Sequence, residues 1–202
     1  MTEACLALAA KQCSVVILAG GQSRRMGQDK AALSWEQGDL LGSLLTRLLP
    51  LSDDVLVVSN IARILPEPIR QVADLIPGKG PLSGIHAGLL YARHDIVFVT
   101  ACDVPFLVPE LVSKLVHAVG RADGSVAVYK EQVEPLFACY RKKCAVAIEH
   151  LLAEKQYRVR DFLAKINWVP VGQLDELDEC CFMNVNTGND YEKAKALLAK
   201  GR

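Results

Sequence analysis

The 202-residue sequence lacks an excess of charge of either sign. Lys and Arg together number 23, as do Asp and Glu, and residues 1–100 alone carry nine of each sign, so neither half is basic or acidic. A protein that binds nucleic acid without sequence preference needs surplus Lys and Arg to neutralise phosphates, and attachment to an anionic membrane surface needs the same. The balance therefore predicts no nucleic acid and no membrane among the partners.

The sequence also lacks any apolar run near the ~20 residues that a membrane-spanning helix requires. The apolar run near its start, residues 4–10, follows an acidic residue and has no basic segment before it, so we expect no signal peptide. The seven cysteines include no Cys-x-x-Cys pair, which disfavours a zinc ribbon or a thioredoxin-like site. We expect reduced thiols, packed as small hydrophobic side chains, in a cytoplasmic protein.

No internal repeat and no Ser- or Gly-rich linker divides the chain, so we expect one domain over residues 1–202, with residues 1–13 as a loosely ordered extension. Short apolar, often β-branched runs alternate with segments of helical periodicity. This pattern predicts an α/β fold, with a mostly parallel central sheet between two layers of helices. The predicted strands are residues 15–18, 55–58, 71–73, 96–99, 125–129, 134–140 and 182–185. The predicted helices are residues 40–49, 81–92, 109–119, 141–154, 159–166 and 190–199.

The loop after the first predicted strand has the composition of a phosphate-binding site. It reads LAGGQSRRMGQDK. The absence of side chains at Gly20 and Gly21 lets their backbone N–H groups approach a ligand closely, and Arg24, Arg25 and Lys30 add three positive charges suited to phosphate oxygens. The glycine spacing is neither that of a Walker A loop nor the Gly-x-Gly-x-x-Gly of dinucleotide-binding proteins. The loop therefore predicts a polyphosphate site of another type.

Acidic and amide side chains follow other predicted strands. Asp103 follows the strand at 96–99, on the side of the sheet where ligands bind in parallel α/β folds. Mg²⁺ is usually held by one or two carboxylates plus substrate phosphates, so Asp103 is a candidate metal ligand, although its position alone fits a helix cap or a turn equally well. Asn184 and Asn186 point to the same side of an extended segment at the end of the last predicted strand. Their amide oxygens could support a metal or an acceptor phosphate, and an Asn-rich turn that caps the last helix is the close alternative.

The segment LAGGQSRRMGQDKA resembles the signature of molybdenum cofactor guanylyltransferases, which belong to a superfamily of nucleotidyltransferases. Further segments resemble family motifs in the family's order: Asp74 with Gly-Pro-Leu-Ser-Gly at 80–84, Cys-Asp-Val-Pro-Phe at 102–106, Glu-Pro-Leu-Phe-Ala-Cys-Tyr at 134–140, and Asn-Val-Asn-Thr at 184–187. The resemblance spans roughly residues 14–198. It departs from the family at Gly188, where Pro is usual.

The resemblance implies a Rossmann-like, three-layer αβα nucleotidyltransferase fold and the transfer of GMP from GTP to molybdopterin carrying molybdenum, with release of pyrophosphate. It implies Mg²⁺ on Asp103 and a catalytic set of Arg25, Lys30 and Asp103. The nucleotide-binding residues that it implies are Leu18, Ala19, Gly20, Gly21, Lys30, Ser59, Asp74 and Asp103, with the register between Ser59 and Asn60 left open. The acceptor-binding residues are Arg158, Asn184 and Asn186. Molybdoenzyme-specific chaperones or other cofactor-biosynthesis proteins are further partners to expect.

Two alternatives stay open at this point. A cytidylyltransferase, or another nucleotidyltransferase of the same fold, would share most of these motifs and differ in its base or its phosphate acceptor. An accessory protein that binds molybdopterin or a nucleotide without turnover would belong to a different class. The presence of both Lys30 and Asp103 argues against a loss of catalysis.

Overall fold

The computed structural model describes residues 13–20, 29–36, 38–172 and 180–200. The strands are β1 (Cys13–Leu18), β2 (Ser34–Trp35), β3 (Gly38–Asp39), β4 (Val55–Val58), β5 (Arg70–Val72), β6 (Ile96–Ala101), β7 (Gly124–Tyr129), β8 (Gln132–Arg141) and β9 (Trp168–Val171). The helices are α1 (Leu40–Leu48), α2 (Pro81–Tyr91), α3 (Pro109–Ala118), α4 (Ala145–Ala153), α5 (Val159–Leu163) and α6 (Gly188–Leu198). No helix within these ranges is long and apolar enough to cross a membrane.

Seven of the strands form one sheet in the order β5-β4-β1-β6-β8-β7-β9. β8 runs antiparallel to both of its neighbours, and every other adjacent pair is parallel. The inner strands β1, β4 and β6 read as continuous apolar runs because parallel strands are buried on both faces. The prediction of a mostly parallel sheet is confirmed.

Helices cover both faces of this sheet. Val15 and Ile17 of β1 lie in a core cluster with apolar residues of α1 and α3, whereas Val16 and Leu18 lie in a second cluster with residues of α2 and α4. Successive side chains of a strand point to opposite faces, so one strand serves both clusters. The three-layer αβα arrangement predicted from the sequence is therefore confirmed.

Helix α2 lies unusually close to β1 because two of its residues are glycines. A Cβ at Gly88 would lie 2.6 Å from Cγ1 of Val16, and one at Gly84 would lie 3.0 Å from Cδ2 of Leu18. Real Cβ atoms do not tolerate the first of these distances, so Gly88 is needed for this packing. The close approach carries the amino-terminal end of α2 to the edge of the sheet where β1 ends.

The predicted strand at residues 182–185 is wrong. Residues 183–186 have no regular structure and follow a short 3-10 turn. The backbone N–H of Val185 donates to the carbonyl oxygen of Asp103 at 2.9 Å, and the side chain of Val185 is buried in a third core cluster with Trp35 and Phe106. The apolar residues here anchor a loop to that cluster. Their sequence pattern is therefore as apolar as that of a buried strand.

Two boundaries and one strand also differ from the prediction. Cys13, expected in the amino-terminal extension, is the first residue of β1 and is buried. The helix expected from residue 141 begins as a 3-10 turn at Lys142–Cys144, because Arg141 still pairs with Ile96 in the sheet. Strand β9 was not predicted, since Pro170 interrupts its pattern; an edge strand tolerates proline, and β9 pairs only with β7.

Candidate active site

Three polar side chains from distant parts of the sequence meet where β1 and β6 end. The Nζ atom of Lys30 lies 3.2 Å from Oδ2 of Asp103 and also donates to Oδ1 of Asn186. The side chains of Lys30 and Asp103 are 17% and 18% exposed, so this ion pair is shielded but open to one side. The structure thus brings together a predicted phosphate-binding residue, the predicted metal ligand and a predicted acceptor-binding residue.

Local capping fixes the lysine of this cluster. Lys30 begins a 3-10 turn, Lys30–Ala32, whose first donor is satisfied by the carboxylate of Asp29: Oδ1 accepts from the N–H of Ala31 at 3.1 Å. Ala31 is fully buried against the core beneath β1. The buried alanine anchors the turn, and Lys30 is aimed at the edge of the sheet as a consequence.

Asn186 is fixed by the start of the last helix. Thr187 and Asp190 form a capping box at α6, and the carboxylate of Asp190 also accepts from the N–H of Asn186 at 3.2 Å. On its other side, Val185 is tied to the carbonyl of Asp103. The turn therefore caps the last helix, as one interpretation of the sequence predicted, and this cap uses the backbone N–H of Asn186. The side-chain amide of Asn186 stays available to reach Lys30, so a role in ligand binding is compatible with the cap.

A pocket of about 220 Å³ lies beside Lys30 and Asp103. We call it the glycine-loop pocket; its lining residues are Leu18, Ala19, Gly20, Asp29, Lys30, Pro81, Ala101, Cys102, Asp103 and Leu136. Pro81 is the first residue of α2, so the positive end of that helix's dipole faces the pocket, as in many phosphate sites. Five residues predicted to bind nucleotide line this one pocket. The predicted residues Gly21 and Arg25, together with Arg24, lie outside the described residues.

A second pocket of about 280 Å³ shares Ala101, Asp103 and Leu136 with the first. We call it the asparagine pocket; its lining residues are Ala101, Asp103, Val104, Glu134, Pro135, Leu136, Phe137, Phe182, Asn184 and Asn186. Because the two pockets meet at Asp103, one ligand in each would place reacting groups on either side of that carboxylate. Asn184 and Asn186, two of the predicted acceptor-binding residues, both line this second pocket.

Arg158 does not join them. It lies in a separate depression with Lys79 and Tyr157 that shares no lining residue with either pocket. Arg158 is the residue before α5. The structure therefore does not bring Arg158 together with Asn184 and Asn186, and its acceptor-binding role stays a prediction.

At the end of β4, the structure places Ser59 and Asn60 in different surroundings. Ser59 is 2% exposed, and its hydroxyl is held within its own loop, where it donates to the carbonyl of Ile61 at 3.0 Å. Asn60 is exposed and makes two hydrogen bonds with Asp74: its amide donates to Oδ2 at 3.3 Å, and its Oδ1 accepts from the N–H of Asp74 at 3.0 Å. Asn60 is therefore the more accessible of the two side chains, and the role of either residue in nucleotide binding stays a prediction.

Burial raises the pKa of the Asp74 carboxyl above its ordinary value, against the opposing effect of the hydrogen bond from Asn60. A carboxylate in this condition is short of donors, because burial removes water that would otherwise solvate it. A ligand that supplies N–H groups at this position would therefore be favoured.

Arg63 is a residue that sequence reasoning missed. Its Nη2 atom donates to the carbonyl oxygen of Ala19 at 3.1 Å and to Oδ2 of Asp29 at 2.7 Å, and its Nε atom approaches Oγ of Ser59 at 3.4 Å. The side chain is only 11% exposed. Ala19 and Asp29 stand before and after the predicted phosphate loop, so one guanidinium ties both ends of that loop to the end of β4. No local pattern marks Arg63, which lies in a segment without regular structure.

The residues around Asp103 fit a magnesium ion that is completed by substrate. The described residues contain no group of three or more His, Cys, Asp or Glu side chains that could hold a metal alone, whereas Mg²⁺ usually takes one or two carboxylates and finds its other ligands in phosphates and water. Asp103 and the amide oxygens of Asn184 and Asn186 are hard ligands of that kind. Burial, followed by the charge of Asp103, raises the pKa of the Cys102 thiol to about 12, so this neighbour stays protonated and is no nucleophile.

Comparison with known proteins identifies the family to which the chain belongs. Residues 15–171 match the family model of the MobA-like NTP transferase domain. A protein of Pelotomaculum thermopropionicum named "probable molybdenum cofactor guanylyltransferase" is 38% identical over 196 residues, 95% of this chain and 96% of its own length. A molybdenum cofactor guanylyltransferase of Syntrophotalea carbinolica is 35% identical over 187 residues, 89% of each chain. The crystal structure of molybdopterin-guanine dinucleotide biosynthesis protein A from Archaeoglobus fulgidus superposes with a TM-score of 0.79 over 93% of this chain and 99% of its own, at 24% identity, which speaks for the fold.

Proposed function

This chain belongs to the MobA-like NTP transferase family and to its molybdenum cofactor guanylyltransferases, and we propose that it transfers GMP from GTP to molybdopterin carrying molybdenum, with release of pyrophosphate. The observation that carries the proposal is the Lys30–Asp103–Asn186 cluster between two adjoining pockets. GTP would occupy the glycine-loop pocket, and the acceptor would occupy the asparagine pocket.

The reaction needs positioning and neutralisation of charge more than covalent help from the protein. An oxygen of the acceptor phosphate forms a bond to the α-phosphorus of GTP while the bond to pyrophosphate breaks in line with it. The phosphate monoester is already largely ionised at neutral pH, so no strong general base is required. Two ligands held on either side of Asp103 would have their reacting atoms close and aligned, which is where most of the rate enhancement would arise.

Lys30 would act on the phosphates of GTP. Its ammonium group is held by two acceptors, Asp103 and Asn186, and phosphate oxygens entering the glycine-loop pocket would compete for the same three N–H donors. The amino-terminal end of α2, at Pro81, adds a further positive field on that pocket. Asp103 would hold Mg²⁺ together with substrate phosphates, and bound there the ion would neutralise the charge that develops on the reacting phosphate.

Asp74 and Asn60 support guanine as the base. The N1–H and the 2-amino group of guanine are adjacent donors, and the two oxygens of a carboxylate can accept from both. Cytosine lacks this pair of donors. The exposed amide of Asn60 holds the Asp74 carboxylate in one orientation, and the raised pKa of Asp74 reflects burial that such donors would offset.

Pyrophosphate release by the purified chain with GTP, molybdate-loaded molybdopterin and Mg²⁺ tests the proposal directly. We expect release that requires both substrates, falls to background when a chelator removes the metal, and is at least about tenfold less efficient with CTP, since one unmatched donor pair costs on the order of 1.5–3 kcal/mol.

Three results would contradict parts of the proposal. Preference for CTP would favour a cytidylyltransferase, and tight binding without pyrophosphate release would favour an accessory protein. Full activity in chelator would remove the metal from Asp103.

The cellular setting is a separate part of the proposal. We place the protein in the cytoplasm, where GTP is available, with molybdoenzyme-specific chaperones or other cofactor-biosynthesis proteins as its partners. Cys13, Cys102, Cys139 and Cys144 are unbridged and buried, as expected in a reducing compartment. Fractionation of cells followed by immunoblotting checks the location.

A further inference from the structure

Strand β8 departs from regular pairing directly above the asparagine pocket. Val126 of β7 lies opposite Ala138, but the next residue, Ala127, lies opposite Glu134. Residues 135–137 therefore bulge out of the ladder between β7 and β8. Bulges bend a strand, aim its side chains in new directions and are frequent beside active sites. Here the bulge delivers Glu134 and the three residues after it to the lining of the asparagine pocket.

The bulge is held in one conformation. The hydroxyl of Tyr140, whose side chain is fully buried, donates to the carbonyl oxygen of Pro135 at 2.8 Å. Phe137 still pairs with Thr100 on the neighbouring strand β6, and its ring packs edge-on against Phe98 at 5.4 Å between centroids. Glu134 is thus presented by a backbone that is fixed just after it, as a recognition residue must be.

The carboxylate of Glu134 lacks a partner within the part of the chain that the structure describes. Among the residues that the structure describes, none donates a hydrogen bond or an ion pair to it, and it is half-buried in the pocket wall. Burial raises the pKa of Glu134 above its ordinary value. A carboxylate that loses water without gaining donors costs free energy, and no step of the reaction needs another base. These facts point to a ligand group that donates hydrogen bonds.

Charge also fixes which part of the acceptor faces Glu134. Glu134 repels a phosphate, whereas the charge of Asp103 is offset by Lys30, which also reaches Asn186, so we expect the acceptor phosphate at the Lys30 side of the pocket. The apolar side chains of Leu136 and Phe182 also form part of the pocket wall. Phe182 stacks on Tyr129 with ring centroids 4.9 Å apart, which gives this wall a rigid surface suited to a flat ring.

We propose that Glu134 recognises the pterin ring of the acceptor, accepting hydrogen bonds from its ring N3–H and its 2-amino group. This pair of donors is adjacent on one edge of the ring, so both oxygens of one carboxylate can accept from it. The acceptor then lies with its pterin edge on Glu134 and its phosphate toward Asp103. The identity of the ring rests on the proposed function, whereas the demand for a donor pair rests on Glu134 itself.

Binding of two probes without GTP tests the recognition apart from turnover. The probes are the monophosphate of 6-hydroxymethylpterin and the matching lumazine, in which an oxygen replaces the 2-amino group; both are followed by their own fluorescence. We expect the full chain to bind the pterin at least about tenfold more tightly than the lumazine, since hydrogen bonds to a charged group contribute roughly that much. Glu134→Gln should weaken pterin binding about 10- to 100-fold and abolish the preference, because its amide offers one acceptor and a donor that suits the lumazine oxygen.

The control is Glu131→Gln, the same change at an exposed residue of the turn between β7 and β8. It should leave both affinities unchanged, and Glu134→Gln should melt no lower than the parent, because it removes an unpaired charge. Equal binding of the two probes by the parent chain, binding of neither probe, or an unchanged preference in Glu134→Gln would overturn the proposal.

Steady-state kinetics distinguish the proposed role of Glu134 from the proposed function of the whole chain. In Glu134→Gln we expect the KM for molybdopterin to rise about tenfold or more, with the KM for GTP unchanged. If the parent chain releases pyrophosphate from GTP and molybdopterin while Glu134→Gln keeps the parent's KM for molybdopterin, the role of Glu134 is refuted and the function stands. If the parent releases none yet prefers the pterin probe, the function is refuted and the role of Glu134 stands.

Discussion

The parallel strands of the central sheet begin at one side, which we call the amino edge, and end at the other, the carboxyl edge. Each of these sides holds a shielded aspartate, and the surroundings of the two carboxylates differ. At the amino edge, Asp54 is 2% exposed and accepts from Oγ of Ser14 at 2.5 Å, from Nη2 of Arg70 at 2.6 Å and from the N–H of Arg93 at 2.8 Å. At the carboxyl edge, Asp103 is 18% exposed on its side chain and meets one lysine at 3.2 Å. The first carboxylate is saturated by the protein, whereas the second faces two pockets.

The pKa values follow the same division. Burial would raise the pKa of Asp54, but the hydrogen bonds from Ser14, Arg93 and Arg70 together hold it below its ordinary value. Burial raises the pKa of Asp74 and of Glu134 at the other edge. A carboxylate that the fold surrounds with donors stabilises the fold, and a carboxylate left short of donors is available to a ligand. We therefore expect substitutions at the amino edge to lower the stability of the fold and substitutions at the carboxyl edge to lower activity.

The largest expected effect is at the carboxyl edge. Lys30→Ala and Asp103→Asn should each lower kcat about 1,000-fold, because Lys30 supplies positive charge to the phosphates and Asp103 would hold the Mg²⁺ that neutralises them. Neither should lower Tm by more than about 4 °C, since a partly exposed ion pair contributes at most about 1 kcal/mol. Steady-state pyrophosphate release and thermal unfolding measure the two quantities.

Lys143→Ala is the control for that comparison, because Lys143 pairs with Asp123 at 2.6 Å far from either pocket and is 64% exposed. It should change neither rate nor Tm. Activity at the parent level in either carboxyl-edge variant, at saturating substrate, would contradict the assignment of that residue.

The second effect is at the amino edge. Asp54→Asn should cost about 3 kcal/mol of unfolding free energy, because its amide group turns N–H toward donors and leaves a buried network unsatisfied. Below its lowered melting point the variant should keep the parent's kcat. Denaturant unfolding measures the loss, and Asp53→Asn, at an exposed neighbour that pairs with His94, should lose far less.

The same carboxylate predicts a pH dependence. Since the pKa of Asp54 is lower in the folded chain than its ordinary value of 3.8, its stabilisation is fully present above that value and is lost as the pH falls through the folded pKa. The stability difference between the parent and Asp54→Asn should therefore be constant near neutral pH and shrink below about pH 4. A difference that grows on acidification would refute the network's role.

The smallest expected effect is at Arg63, whose contacts bear on both nucleotide binding and stability. Arg63→Met should raise the KM for GTP about tenfold, because the ends of the phosphate loop at Ala19 and Asp29 lose their common donor. Arg63 acts through the loop and is a positioning residue, so free guanidinium ion at low concentration should restore part of the affinity. Arg47→Met, which breaks the exposed pair with Glu36, is the control and should show neither the KM change nor the rescue. A variant that loses Tm with no change in KM would limit Arg63 to a structural role.

Local sequence was sufficient for the elements that decide the fold. The inner strands at Cys13–Leu18, Val55–Val58 and Ile96–Ala101 were found because burial on both faces demands an unbroken apolar run. The edge strand Trp168–Val171 and the loop at residues 182–185 were misjudged, because an edge strand tolerates Pro170 and a loop anchored in the core through Val185 is as apolar as a strand.

The sequence by itself determined the kind of chemistry: a glycine loop with a lysine after the first strand and an aspartate after β6 are local signals, set by what phosphate and Mg²⁺ require. Only the tertiary structure decided which residues act together. Lys30 meets Asn186 across 156 positions, Arg63 reaches back to Ala19, and a bulge brings Glu134 into the asparagine pocket. Hydrogen-bond partners far apart in sequence are set by packing, and periodicity gives the face on which a side chain lies but not the distance to its partner.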